Sequence, residues 1–226
     1  MFRCCFLAGV GLLLSASALT AQTPNPAPAP ASTESAGQET MEDPQVGDHW
    51  TYEFRDEISG DVKSVLTNTV TDLTDSQIGI RITRAGNANS GYQTFDRSWN
   101  LINSGVSRFS PNDGAGIRAP LAVGKTWSFK SNDTNGTSGF SGRRSGTSKV
   151  TTQESIITPA GTFETFKIET SFQIRDANNA TDKAQVVLQT WYAPAIDHWV
   201  KQTFVMRSDG RVRSKTSMEL IEYDRR

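Results

Sequence analysis

The stretch VGDHWTY at residues 46–52 has a counterpart of the same pattern in VGKTWSF at residues 123–129. Because side chains alternate between the two faces of a β-strand, Trp50 and Tyr52 would share one face, and the second copy repeats this arrangement. Each copy therefore predicts a turn that leads into a strand whose aromatic side chains face the core. The repeat is an architectural signal and contains no reactive group.

The rest of the chain shows a period of two. Ile78, Ile80 and Ile82 alternate with glycine or polar residues, and a second alternating run covers residues 166–174. No stretch of ten or more residues has an amphipathic helical pattern. The sequence therefore predicts a mainly β protein of about nine to eleven antiparallel strands, each half-buried.

Turn residues separate these runs. Ser-Gly-Asp at 59–61, Pro-Ala-Gly-Thr at 159–162 and Ser-Asp-Gly at 208–210 each predict a turn, and the last predicts a hairpin between residues 199–207 and 211–223. Residues 131–148 are so rich in glycine and serine that we expect either a mobile loop or an irregular edge strand there.

We expect one strongly curved antiparallel sheet, a half-barrel or a barrel, with a two-sheet sandwich as the alternative. A sheet that curls around an apolar interior would accommodate the five tryptophans of the chain, which are Trp50, Trp99, Trp127, Trp191 and Trp199.

The N-terminus has the pattern of a secretory signal peptide at residues 1–21: a short basic region, an apolar stretch and small residues before the cleavage point. The apolar stretch is too short to span a bilayer, no later segment approaches that length, and we expect no transmembrane segment. Cys4 and Cys5 both precede the apolar stretch, so we expect neither lipidation nor a disulfide. The periplasm is the expected location, and an extracellular one stays open.

Residues 22–45 contain proline, alanine, threonine, serine and glutamate without aromatic or branched aliphatic residues, and we expect a disordered linker. Residues 46–226 are then a single β domain, long enough to bury a core without disulfides. Without the signal peptide the net charge is −2, and residues 46–226 alone carry +2. Neither value is typical of a nucleic-acid-binding protein, so no nucleic-acid partner is expected.

Two motifs could carry chemistry. Residues 119–126, APLAVGKT, fit a permissive form of the phosphate-binding loop, but the apparent strand that follows replaces the helix that this loop requires, so we expect no nucleotide. His49 and His198 both occur in Asp-His-Trp and could bind a metal together if their strands were adjacent. Alternation places each histidine opposite its neighbouring tryptophan, so we expect both to face solvent and predict no metal or other cofactor.

No nucleophile can be paired with a base from spacing, and enzymatic activity is not expected. An acidic cluster near the first hairpin leaves a hydrolase as a third hypothesis; its members are Asp48, Glu53, Asp56, Glu57 and Asp61. Arg211, Arg213 and Lys215 would form a basic stripe along the last strand, either a solvated face that protects an edge or a contact with an anionic lipid or polymer.

Three segments together carry a family resemblance: VGDHWTY at 46–52, ITPAGTF at 157–163 and TWYAP at 190–194. The set resembles the TapB-like group of uncharacterised exported bacterial β-proteins, over most of residues 46–223. The resemblance implies the fold and the compartment but no catalytic residue. It also implies a sheet similar to the half-barrels of the lipoprotein carriers LolA and LolB, although this sequence lacks helices to cover a concave face.

The leading hypothesis is a non-enzymatic periplasmic protein that binds an apolar ligand, such as a lipid, or an envelope component on the concave face of the sheet. Trp50, Trp127 and Trp191 are the candidate ligand-binding residues, and the alternative is that they fill a closed core. A second hypothesis is an assembly role in the envelope, with an envelope protein bound at an exposed strand edge.

Overall fold

The computed structural model describes residues 43–179, 181 and 183–226. The predicted signal peptide and all but the last three residues of the predicted linker lie outside the described residues. Twelve β-strands follow one another along the chain: β1 His49–Asp56, β2 Val62–Leu73, β3 Gln77–Arg84, β4 Asn87–Asp96, β5 Leu101–Ser104, β6 Ser107–Ser110, β7 Thr126–Asn135, β8 Ser141–Thr158, β9 Gly161–Asp176, β10 Lys183–Ala193, β11 His198–Ser208 and β12 Arg211–Asp224.

The strands form one closed barrel in which each strand pairs antiparallel with its neighbours in sequence. The barrel closes between β1 and β12, where Tyr52 lies opposite Leu220. This confirms the predicted curved antiparallel sheet in its barrel form and excludes the sandwich. The count of nine to eleven strands was too low, because β5 and β6 have four residues each and are too short to show alternation.

The two Val-Gly-x-x-Trp units adopt the same local structure. Gly47 and Gly124 have φ values of 101° and 91°, in the left-handed region that favours glycine. The Gly47 N–H donates to the Val70 carbonyl on β2, and the Gly124 N–H donates in the same way to Val150 on β8. Each unit is therefore a glycine turn bonded to the adjacent strand just before a new strand begins.

The prediction for residues 131–148 was wrong, because most of them belong to the β7–β8 hairpin. A glycine suits this sheet where the interior is crowded. A Cβ on Gly146 would lie 2.4 Å from the Cβ of Phe172, which faces it from β9. The Phe172 side chain thus occupies the space that a larger residue at 146 would need.

The three predicted turns are confirmed. They join β1 to β2, β8 to β9 and β11 to β12, and the last hairpin matches the predicted bounds to within one residue at each end. The one helical element in the described part of the chain is the 3-10 turn Pro194–Ile196, and no helix there is long and apolar enough to cross a bilayer.

Because the strands alternate in direction, their connections lie at two ends of the barrel. One end, called the upper rim here, carries the six hairpin turns after the odd-numbered strands, from β1 to β11. The other end, called the lower end, carries the connections after the even-numbered strands from β2 to β10, including the 3-10 turn, and both chain segments that flank the barrel.

Side chains on the inner face of β10 show how the barrel is filled from the upper rim to the lower end. Val186 belongs to a small hydrophobic cluster with Phe129 and Phe172. Tyr192, about 20 Å further along the strand, belongs to a larger and separate cluster at the lower end. Leu188 and Thr190 lie between the two clusters, and both line a cavity.

Candidate ligand-binding cavity

The cavity has a volume of about 250 Å³ and lies inside the barrel between the two clusters. Its apolar walls include Leu66 from β2, Leu188 from β10 and Met218 from β12. Trp99 and Trp199 line it as well, with ring centroids 6.0 Å apart and planes nearly perpendicular, the edge-to-face geometry that aromatic pairs favour. The cavity therefore offers an apolar surface with two aromatic faces.

Amide side chains supply the polar part of the lining. Asn68 is only 7% exposed, lines the cavity from β2 and makes no side-chain hydrogen bond with any described residue. Gln202 donates through Nε2 to Thr190 Oγ1 at 3.2 Å, and Gln93 donates through Nε2 to Ser104 Oγ at 3.1 Å. The Asn68 amide can both donate and accept hydrogen bonds, so a molecule in the cavity would gain by bonding to it.

A segment outside the strands completes the wall. Asp113 and residues 115–117 line the cavity where β5 and β6 are short. The Asp113 N–H donates to the Leu101 carbonyl, and the Leu101 N–H donates back to Asp113 Oδ1 at 2.9 Å. Burial raises the pKa of the Asp113 carboxyl to about 6. Among the described residues that line the cavity, this is the one ionisable side chain.

Below the cavity, the lower end is closed by an aromatic cluster around His198. The His198 ring stacks on Trp50 with centroids 4.1 Å apart and lies edge-on to Trp99 at 4.7 Å. Tyr52 donates its hydroxyl proton to the Trp199 carbonyl at 2.8 Å, so the same oxygen accepts from Nδ1 of His198 at 2.5 Å. That bond assigns the proton of the neutral imidazole to Nδ1. Burial lowers the pKa of His198 to about 3.

Asp197 links this cluster to the 3-10 turn. Its Oδ1 accepts from the Trp99 indole N–H at 3.1 Å and from the Tyr192 hydroxyl at 2.5 Å. Its backbone is left-handed, with φ of 45°, and turns the chain from the 3-10 turn into β11. Burial raises the pKa of the Asp197 carboxyl to about 6, although both hydrogen bonds act in the opposite direction.

The expectation that His198 faces solvent was therefore wrong: its side chain is 1% exposed. Alternation failed here because β10 and β11 slip in register between Trp191 and Tyr192, close to the 3-10 turn that precedes β11. His49, by contrast, is partly exposed. No group of three potential metal ligands is found among the described residues.

All three predicted site residues lie in the large hydrophobic cluster, and none of them lines the cavity. Trp50 is fully buried in the lower aromatic cluster, and Trp127 is 7% exposed in the same large cluster; neither lines the cavity. Trp191 is 8% exposed and belongs to the same large cluster. Its indole N–H donates to Glu154 at 2.7 Å. Lys167 lies 4.7 Å from the centre of the Trp191 ring, a cation–π contact.

The residues that do line the cavity were missed as candidates. Asn68 had a usable signal, since it is a polar residue at a core position in the alternating run Leu66, Asn68, Val70. Trp99 had none, because it lies in the irregular turn after β4 with φ of 57°.

The acidic cluster is not a site in the fold. Asp48 is buried at the lower end, where it accepts from Arg225 at 3.2 Å. Asp56 lies at the opposite end of β1, about 26 Å away at the usual rise per residue. The strand-edge hypothesis also lacks its structural basis, because no described strand lies at an edge of the closed sheet.

Toward the upper rim, the interior holds a buried ion pair. Arg144 on β8 donates through Nε to Asp133 Oδ2 on β7 at 2.9 Å, and the two side chains are 11% and 8% exposed. The guanidinium lies over the rings of Phe109 and Phe172, at 4.7 and 5.2 Å from their centroids. Since both charges are used within the pair, this pair does not present a free charge to a ligand.

No protein-family model matches the chain, and no curated protein matches its sequence. Solved structures do match its fold. A predicted lipoprotein from Parabacteroides distasonis aligns with a TM-score of 0.52 and 15% identity over 82% of this chain and 98% of that chain. A predicted exported protein with a YmcC-like fold from Bacteroides fragilis aligns with a TM-score of 0.51 and 13% identity over 82% and 99%.

The hypothetical lipoprotein YmcC from Escherichia coli is similar at a TM-score of 0.48 and 9% identity, over 79% of this chain and 85% of that chain. At these identities, the Parabacteroides and Bacteroides matches show a shared fold. A fold found in a predicted lipoprotein and a predicted exported protein fits the resemblance to a group of exported β-proteins, while the TapB-like assignment stays a prediction. The closed barrel differs from the half-barrel that the comparison with LolA and LolB implied.

Proposed function

We propose that this protein is an exported, non-enzymatic binding protein that holds a small, mainly apolar ligand in the cavity of its barrel. The observation that carries the proposal is the side-chain amide of Asn68, which is buried, lines an apolar cavity and has no partner among the described residues. A ligand that bonds to this amide would use hydrogen-bonding capacity that the described residues leave unused.

The volume limits the ligand. About 250 Å³ corresponds to roughly eight water-sized groups at liquid density, and it lies just below the range of about 300–1,000 Å³ that is typical of sites for drug-sized molecules. One ring system or one short chain satisfies this limit, whereas a two-chain lipid exceeds it.

The lining also limits the charge of the ligand. The polar groups are amides, a hydroxyl and the Asp113 carboxyl, whose Oδ1 already accepts from the Leu101 and Ala115 N–H groups, and they lie beside Trp99, Trp199 and aliphatic side chains. No cationic side chain in the described lining could pair with a carboxylate or phosphate. A neutral molecule with one hydrogen-bonding group facing Asn68 and an apolar body against the tryptophans fits best.

The location is part of the proposal. The N-terminal pattern at residues 1–21 and the fold shared with a predicted exported protein and a predicted lipoprotein both support export to the periplasm or envelope.

A matched pair of variants tests the cavity. Leu188→Trp fills the cavity, whereas Val187→Trp places the same side chain on the opposite face of β10. Indole is a suitable probe, because it has an apolar ring and one N–H donor, and its binding can be measured by isothermal titration calorimetry. We expect Leu188→Trp to weaken indole binding at least about tenfold and Val187→Trp to leave it unchanged.

Native mass spectrometry of the protein purified from its own host supplies the second measurement. A co-purifying small molecule that is lost in Leu188→Trp and retained in Val187→Trp would support the proposal. Recovery of bare protein, together with indole affinity that is equal in both variants, would refute it.

A further inference from the structure

The upper rim exposes apolar side chains on several separate hairpins. Ile58 is 61% exposed at the β1–β2 turn, Val106 is 55% exposed at the β5–β6 turn and Val212 is 43% exposed at the β11–β12 turn. Phe140 on the β7–β8 turn is exposed as well. The rim therefore offers apolar groups at intervals around the barrel, not in one flat patch.

The charges of the chain are divided between the two ends. Ten basic and five acidic residues lie in the described parts of the six rim segments, which are 55–63, 83–90, 104–108, 135–143, 175–183 without 180 and 182, and 207–213. Five basic and nine acidic residues lie in the lower-end segments, which are 43–49, 72–77, 95–101, 111–126, 157–162, 192–199 and 222–226. The net charges of the described residues are thus +5 at the rim and −4 at the lower end, although the whole chain is nearly neutral.

We propose that the upper rim docks on the surface of an anionic lipid bilayer. The rim is basic and exposes separate apolar side chains, and both features suit the interfacial region of such a bilayer. There, apolar groups enter the headgroup boundary and cations pair with lipid phosphates. The acidic lower end would be repelled, so the charge division also orients the barrel with its rim toward the lipid.

A protein partner fits these features less well. Stable protein interfaces bury a contiguous, well-packed area of about 800 Å² on each side. Apolar tips that are spread around the end of a barrel do not form such a patch, whereas each tip can enter a fluid bilayer by itself. The inference concerns the rim alone and holds whether or not the cavity binds a ligand.

Flotation of the full chain with vesicles tests the proposal. Vesicles of phosphatidylcholine with a third of phosphatidylglycerol are compared with vesicles of phosphatidylcholine alone. We expect binding to the anionic vesicles only, and we expect it to weaken as salt screens the charges.

Matched variants then assign the binding to the rim. The rim variant combines Ile58→Ser, Phe140→Ser and Val212→Ser, and its control combines Val46→Ser and Ile157→Ser at the lower end, where both side chains are exposed. We expect the rim variant to bind at least about tenfold more weakly and the control to bind as the unmodified chain does.

A second pair of variants tests the charges. Arg143→Gln with Arg211→Gln removes two exposed rim cations, and Arg118→Gln with Lys149→Gln removes two exposed cations elsewhere. Each rim cation should contribute about fivefold to binding at low salt, and the other two should contribute little.

Three results would overturn the proposal. The first is the absence of binding to anionic vesicles, and the second is an equal loss in the rim variants and their controls. The third is a concentration-dependent dimer in analytical ultracentrifugation that the rim substitutions abolish, which would assign the rim to a second copy of the chain.

Discussion

At the lower end of the barrel, the rings of Trp50, Trp99, His198 and Trp199 pack against one another, whereas the interior near the upper rim holds the Arg144–Asp133 pair and a cluster of only three buried apolar residues. Apolar burial stabilises a fold directly, whereas a buried ion pair roughly offsets its own desolvation. The comparison indicates that stability is concentrated at the lower end.

The largest expected effect comes from breaking the aromatic cluster. Trp50→Ala should lower the free energy of unfolding by about 3–5 kcal/mol, because Trp50 is fully buried and its removal leaves a cavity. Phe140→Ala at the rim should change the same quantity by no more than about 0.5 kcal/mol. Urea denaturation followed by circular dichroism measures both values. Similar losses in the two variants would contradict the comparison.

A smaller effect is expected from the buried pair. Arg144→Ala leaves the Asp133 carboxylate buried without its cation and should cost about 3 kcal/mol. Arg144→Leu combined with Asp133→Leu removes both charges and should restore stability to within about 1 kcal/mol of the unmodified protein. If the double variant were as unstable as Arg144→Ala, the pair would be a net stabilising interaction and the two ends would be more alike than we infer.

The smallest effect is a pH dependence at the lower end. The pKa of Asp197 is about 6 in the folded protein and about 3.9 in the unfolded chain. Between these values the folded state binds more protons than the unfolded state. The contribution of the neutral carboxyl is therefore fully present below about pH 4 and is lost as the pH rises through about 6.

Asp197→Asn removes this dependence and keeps an acceptor for the Trp99 indole. The stability of the variant relative to the unmodified protein should therefore rise between about pH 4 and pH 6, by up to about 1.4 kcal/mol per pH unit. Asp75→Asn, at an exposed turn of the same end, changes the net charge equally and is the control. A parallel rise in both variants would show that net charge, and not the buried carboxyl, is responsible.

Local patterns predicted much of the fold. The alternation of Ile78, Ile80 and Ile82 gave β3, and Ser208-Asp209-Gly210 gave the β11–β12 hairpin, because both depend on neighbours in sequence. Residues 131–148 were not predictable in this way. Their glycines suit a strand only because Phe172, more than twenty residues later in the chain, fills the space beside Gly146.

The candidate cavity was harder to predict than the fold. The three tryptophans chosen from the sequence all lie near strand ends with clear alternation, yet none of them lines the cavity. A lining residue such as Trp99 depends on an irregular turn and on the register of distant strands. Among the lining residues discussed, only Asn68 could have been recognised from its neighbours in sequence, because it is a polar residue at a position where the alternation of Leu66 and Val70 predicts an apolar one.

The sequence by itself determined that the chain is built of antiparallel strands and that each Val-Gly-x-x-Trp unit is a turn that starts a strand, since period-two alternation and glycine turns act over a few residues. Only the tertiary structure decided that β1 meets β12 to close the barrel, that His198 is buried against Trp50, and that a cavity lies between two hydrophobic clusters. These features depend on register and on packing between residues far apart in the chain, and neither is encoded in any short stretch of sequence.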